Sequence, residues 1–197
     1  MIIQNDKGEN IIFIHIPRTG GSYVAAYFKH HKCSLNDYQK ITVNNFEEGH
    51  EKIKYYYNNG YKNCKSFTII RNPLYRFTSA LKRVLTYLNL PIDYFKDMKN
   101  YDDFKTFIYN QRGTILEQFL EHQYKFIDNK TKIYKFDNRL GFKFLDWLKD
   151  NFNLTTKIKD PKYLKMSSDF LKPTISKETI KFVEMYYKED YKILWVY

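Results

Sequence analysis

The strongest constraint on the fold is an apolar, mostly β-branched run that stops at a proline and is followed by two glycines. The stretch reads Ile11-Ile12-Phe13-Ile14-His15-Ile16-Pro17-Arg18-Thr19-Gly20-Gly21-Ser22. It predicts a buried strand over 11–16, a tight loop, and a helix from Ser22 to about His31. Glycines let a ligand approach the backbone, and a helix start offers unpaired N–H groups. The loop is therefore a candidate anion cradle.

A second strand–turn–helix signal lies farther along the chain. The apolar run over 66–70 predicts a buried strand that ends at Arg71-Asn72-Pro73. Asn72 is suited to cap a helix, and Pro73 is suited to its first position. We therefore expect a helix directly after Arg71, which stands where open α/β sheets bind ligands.

The predicted second helix carries a polar face of its own. Arg76, Ser79 and Arg83 recur at i, i+3 and i+7, so they lie on one side of it. Together with Arg71 they suit a dianionic phosphate, because guanidinium groups and a hydroxyl supply charge-assisted donors. A solvated helix face is the alternative interpretation of the two helical arginines.

The remaining pattern alternates strands with helices, which favours an α/β fold with a small, mainly parallel sheet. We expect a strand at 132–136 and loops at 33–65 and 153–175. Helices are expected at 101–111 with Asp102 as cap, at 114–123, at 140–152, and from Ser176 onward. The 197 residues contain no repeat of fixed period and no low-complexity linker, so the pattern predicts one domain over 1–197.

Composition favours an anionic ligand without choosing one. The formal net charge is +11, from 33 Lys and Arg against 22 Asp and Glu. The lysines are scattered rather than gathered in a tail, which argues against a nucleic-acid arm. No apolar run approaches the roughly 18 residues of a membrane helix, and the first ten residues lack signal-peptide form. These features predict a cytoplasmic protein without a membrane span. Two cysteines form no metal-ligand pattern, so no metal is expected.

The first loop does not have the Walker A pattern, in which a lysine follows the glycines. Here the basic residue, Arg18, precedes them. This order argues against an ordinary nucleoside triphosphatase.

Both segments resemble nucleotide-binding motifs of the carbohydrate sulfotransferases. Residues 14–22 resemble the 5′-phosphosulfate-binding loop, and residues 67–79 resemble the 3′-phosphate-binding segment. The resemblance points to the branch with the heparan and uronyl 2-O-sulfotransferases. Residues 186–191 resemble the closing helix of that branch. It implies a P-loop-like, three-layer α/β fold with a central sheet between helices. It also implies 3′-phosphoadenosine 5′-phosphosulfate as donor and 3′-phosphoadenosine 5′-phosphate as product.

The resemblance also implies roles for individual residues. Arg18, Thr19, Gly20, Gly21 and Ser22 would hold the 5′-phosphosulfate, while Arg71 and Ser79 would hold the 3′-phosphate. Three positions depart from the family pattern: arginine replaces a lysine at 18, serine a threonine at 22, and asparagine an aspartate at 72. Arg18 keeps the positive charge but not the compact ammonium group.

A histidine is expected as general base, because its unperturbed pKa of about 6.5 lies near working pH. His50, in a Gly-His pair between the two motifs, resembles the catalytic histidine of the family. His122 resembles a family segment near the acceptor. His15 is interpreted as a core histidine at a strand end, and surface histidine remains the alternative for His50.

The sequence therefore predicts a sulfotransferase with Arg18 and His50 as catalytic residues and a carbohydrate hydroxyl as acceptor. One alternative is a divergent P-loop nucleotide kinase or hydrolase. The other is a non-enzymatic module that binds anionic polymers through the positive charge.

Overall fold

The computed structural model of the chain describes residues 1–21, 23, 24, 28, 50–136, 140–155 and 174–196. The chain forms two compact units. The first comprises Met1–Ile70 and Lys125–Met166, and the second comprises Arg71–Tyr124 and Ser167–Tyr197. The expectation of one domain over 1–197 stays a prediction. Within the described ranges, no helix is long and apolar enough to cross a membrane.

A four-stranded sheet organises the first unit. Its strands are β1 (Ile2–Gln4), β2 (Asn10–Ile14), β3 (Lys65–Arg71) and β4 (Lys132–Phe136), side by side in that order. β1 runs antiparallel to β2, and β2 runs parallel to β3 with Ile14 opposite Thr68. The α/β class and the three predicted strands are confirmed. β1 was not predicted, because three residues are too few to show a periodic pattern.

The helices with described bounds lie between β2 and β3, between β3 and β4, and after β4. They are α1 (Ile53–Tyr56), α2 (Pro73–Tyr87), α3 (Tyr101–Tyr109), α4 (Glu117–Leu120), α5 (Phe142–Phe152), α6 (Lys177–Tyr186) and α7 (Lys188–Val196). A π-type turn, Tyr57–Tyr61, follows α1, and a 3-10 turn spans Gln123–Phe126. The expectation of a loop through 33–65 is wrong at 53–61, and residues 33–49 lie outside the described ranges. Ile53 and Tyr56, three residues apart, are both buried and form one helical face.

The structure confirms one of two predicted helix N-termini and corrects the capping residue of the other. The Ser176 hydroxyl accepts the Thr179 N–H at 3.0 Å, so the helix expected from Ser176 is confirmed. The predicted cap Asp102 is wrong, because the Asn100 side chain accepts the Asp103 N–H at 2.7 Å. The helix begins one residue before Asp102, which places that carboxylate in its first turn.

Each unit has its own aromatic core. In the first, rings from β2, β3 and α5 meet, with Phe67 5.0 Å from Phe13 and 5.1 Å from Phe152 between ring centroids. In the second, α2 packs against α3 and α6 through Phe77, which lies 5.6 Å from Phe104. Burial of such rings supplies the main driving force for each unit.

Candidate functional site

The first predicted segment adopts the expected order of strand, loop and helix. β2 ends at Ile14, a turn spans 17–20, and helical structure begins at Gly21. The Tyr23 and Val24 N–H groups donate to the Gly20 carbonyl at 2.9 and 3.4 Å, which closes the first helical turn. The helix N-terminus therefore lies directly after the glycine loop, as an anion cradle requires.

Two loop residues have backbones in the left-handed region. Gly20 has φ +99°, and Arg18 has φ 67°, a conformation that residues with a Cβ rarely adopt. Thr19 between them is fully buried, and its hydroxyl donates to the Ile16 carbonyl at 2.8 Å. The Thr19 side chain therefore holds the loop in shape, while Arg18 remains partly exposed. Ser22, the last predicted member of the loop, lies outside the described residues.

Position 21 requires a glycine because the His15 ring lies against its backbone. A Cβ on Gly21 would lie 1.8 Å from Cδ2 and 2.0 Å from Nε2 of the His15 ring. No side chain fits there unless the imidazole moves. The His15 ring is thus packed directly on the backbone at the helix start.

The same His15 ring also contacts His50, the predicted general base. The two ring centroids are 4.5 Å apart, and the Phe13 ring also stacks on His15 with 5.9 Å between centroids. The pKa of His15 lies well below 6.5, first because of burial, then because of His50 and the N-terminal ammonium. His15 is therefore neutral at pH 7. The His15 ring contacts both the glycine loop and His50, whereas the sequence pattern suggested only a core role for it.

The second predicted segment is also formed. Arg71 is the last residue of β3, and Pro73 opens α2. The Asn72 side chain accepts the N–H groups of Leu74 and Tyr75 at 3.0 and 3.3 Å, so the predicted cap is confirmed. Arg71 is partly exposed at the strand end. Ser79, also partly exposed, lies on α2 and belongs with Arg71 to the second unit.

The predicted polar face of α2 is wrong for Arg76. Its side chain is 1% exposed, and it donates to the carbonyls of Glu121 at 2.7 Å and Gln118 at 3.4 Å. Burial lowers the pKa of this guanidinium, while the charge of Asp190 acts against that effect. Arg76 thus joins α2 to the segment around α4, because spacing on a helix identifies a face but not what packs on it.

Two residues that the sequence did not single out hold the end of β3. The Arg71 N–H donates to Gln123 Oε1 at 3.0 Å, and Gln123 Nε2 donates to the Arg71 carbonyl at 2.9 Å. The Gln123 N–H in turn donates to Asp190 Oδ2 at 2.9 Å. Gln123 stands among polar and aromatic residues, Glu121 to Phe126, so no pattern in the sequence singled it out. Its partner sixty-seven positions away is not visible in the sequence.

His122 lies among tyrosine rings of the second unit. Its ring stacks on Tyr186 at 4.8 Å and lies 5.1 Å from Tyr187 and 5.2 Å from Tyr124. Its Nδ1 is buried. The three rings hold the orientation of the imidazole, whose suggested role near the acceptor stays a prediction.

An open pocket of about 320 Å³ lies elsewhere on the second unit, against α3. It is lined by Asp102, Lys105, Thr106, Tyr109, Arg112 and Tyr186. Lys105 pairs with Asp102 at 2.8 Å, and Arg112 lies over the Tyr109 ring at 4.7 Å. None of the predicted site residues lines this pocket.

Comparison with models of protein families, with curated proteins and with solved structures finds no match to this chain.

Proposed function

We propose that this protein transfers a sulfuryl group from 3′-phosphoadenosine 5′-phosphosulfate to a hydroxyl group of a carbohydrate. The observation that carries the proposal is the pair of strand–turn–helix segments that follow β2 and β3. These strands are parallel neighbours, so their carboxyl ends lie at one edge of the sheet, where α/β proteins bind ligands. A P-loop-like, three-layer fold is part of the same proposal.

The first segment suits the 5′-phosphosulfate. Its glycine backbone leads into a helix N-terminus, where N–H groups and the helix dipole attract an anion. Arg18 adds a positive charge, and its left-handed backbone is the kind of strain found at ligand-binding loops. Thr19 contributes its main chain rather than its hydroxyl, because the hydroxyl donates inward to Ile16. Gly20, Gly21 and Ser22 are the remaining residues proposed to bind the 5′-phosphosulfate.

The second segment suits the 3′-phosphate through Arg71 and Ser79. A guanidinium and a hydroxyl supply several donors to a dianion. Arg76 takes no part, because its donors are used inside the protein.

In the proposed mechanism His50 accepts the proton of the acceptor hydroxyl as its oxygen bonds to sulfur. The bond between sulfur and the 5′-phosphate oxygen breaks, and the nucleotide bisphosphate leaves. Neutral His15 lies against His50, so the imidazolium formed there meets no second positive ring. Arg18 and the loop N–H groups stabilise the charge that grows on the leaving phosphate. The transfer then depends mainly on positioning and charge.

A thermal-shift experiment tests the proposal against both alternatives. Adenosine 3′,5′-bisphosphate, ATP and heparin are each added to the full chain. A ligand at 100 times its dissociation constant stabilises a protein by about 2.7 kcal/mol. We expect the bisphosphate to shift Tm more than ATP does. An equal response to ATP supports a divergent kinase or hydrolase, and a response to heparin alone that disappears with salt supports a polymer-binding module.

A further inference from the structure

The side chain of Gln123 holds the main chain of Arg71 at the end of β3. β2 pairs with β3 as far as Ile14 opposite Thr68, and Arg71 lies three residues farther along β3. There the Gln123 amide accepts from the Arg71 N–H at 3.0 Å and donates to the Arg71 carbonyl at 2.9 Å. A primary amide carries an acceptor oxygen and N–H donors, as a peptide group does, so Gln123 bonds to both main-chain polar groups of Arg71.

Gln123 is itself fixed in place. Its side chain is 1% exposed, and it begins the 3-10 turn Gln123–Phe126. Asp190, also 1% exposed, accepts the N–H groups of Gln123 at 2.9 Å and Tyr124 at 3.1 Å through its two oxygens. Because both carboxylate oxygens hold the turn, the amide of Gln123 has little freedom to rotate or withdraw.

We infer that Gln123 is a positioning residue, anchored by Asp190, that orients Arg71 toward the 3′-phosphate of the nucleotide. This inference rests on the proposed function. Two bonds to one residue fix the rotation of its peptide groups, and hence the direction in which its Cβ and guanidinium leave the strand. An ångström of misplacement is enough to weaken a charge-assisted contact. Gln123 does not touch the nucleotide.

The test compares two buried glutamines of the second unit. Gln123→Met keeps the length of the side chain and removes both bonds to Arg71. Gln111→Met is the matched control, because Gln111 is 7% exposed and donates to the Phe107 carbonyl at 3.2 Å without a bond to Arg71. Calorimetry of each full-length variant gives dissociation constants for adenosine 3′,5′-bisphosphate and for adenosine 5′-phosphate, and Tm is measured alongside.

We expect Gln123→Met to weaken binding of the bisphosphate about tenfold while binding of adenosine 5′-phosphate changes little. Gln111→Met lowers Tm but leaves the ratio of the two constants as in the wild type. A lower Tm is expected of both variants, so the ratio separates positioning from stability alone. An unchanged ratio in Gln123→Met overturns the inference.

Gln123→Glu carries the same test if the methionine variant does not fold. It keeps an acceptor for the Arg71 N–H but offers no donor to the Arg71 carbonyl, so the preference for the bisphosphate over adenosine 5′-phosphate should also fall. The wild type separates the two proposals. If it binds both nucleotides equally, the proposed function fails and the inference fails with it. If the wild type prefers the bisphosphate and the variants do so equally well, only the role of Gln123 is refuted.

Discussion

The imidazole of His15 occupies the space in which a side chain at Gly21 would begin, with Cδ2 only 1.8 Å from the position of a Cβ. A strand-end residue and a helix-start residue are thus packed with no room between them. Because the same ring lies 4.5 Å from the ring of His50, the shape of the glycine loop and the position of the proposed base depend on one side chain.

Gly21→Ala is expected to lower the free energy of unfolding by roughly 1–3 kcal/mol, because the added methyl group displaces the His15 ring. Urea denaturation measures the change. Gly141→Ala is the control in the same unit, since a Cβ there meets nothing within 4 Å. In a His15→Ala background the Gly21 substitution should cost less. An equal cost in both backgrounds would show that the imidazole is not the obstacle.

The stability of the protein should depend on pH through His15. Its pKa is lowered in the folded state, so the unfolded chain takes up the proton first as pH falls below about 6.5. The contribution of His15 to the free energy of unfolding is thus present above this pH and is lost below it, by at most about 1.4 kcal/mol per pH unit. Denaturation of the wild type and of His15→Asn between pH 5 and 8 measures the difference. A difference independent of pH contradicts the neutral state of His15.

If His50 is the proposed base, His50→Ala should reduce kcat by about 10²–10⁴-fold, because the acceptor proton then has no acceptor group. The affinity for adenosine 3′,5′-bisphosphate should stay close to that of the wild type. Steady-state sulfuryl transfer and nucleotide titration measure the two quantities. His122→Ala serves as the comparison. Near-normal turnover in His50→Ala eliminates this histidine as the base. If only His122→Ala loses turnover, His122 is the better candidate for the base.

The two arginines of α2 should respond differently to the same substitution. Arg76→Met removes donors to two carbonyls and leaves buried Asp190 without its nearby positive charge, so a loss on the order of 3 kcal/mol is expected. Arg83 is exposed, and Arg83→Met should change the free energy of unfolding by less than about 0.5 kcal/mol. Thermal or chemical denaturation compares them. Equal losses would contradict the structural role of Arg76.

Much of the secondary structure could be predicted from patterns that act over a few neighbouring residues. The β-branched run before Pro17 locates β2, which ends two residues before the predicted Ile16, and the Asn72-Pro73 pair identifies the start of α2. Strand patterning and helix capping act within a few residues. The α/β class follows from the alternation of such segments. The start of α3 at Tyr101 was predicted correctly, but its cap was misplaced at Asp102, since the Asn100 side chain accepts the Asp103 N–H.

The sequence by itself determined the two strand–turn–helix segments and the residue types that suit anions, because spacing and capping are local properties. Only the tertiary structure decided which distant residues pack against these segments or form hydrogen bonds with them. It placed His15 against Gly21 and His50, buried Arg76 away from solvent, and joined Gln123 to Arg71 with Asp190 behind it. Such contacts join residues up to sixty-seven positions apart, and they arise from packing that no local pattern records.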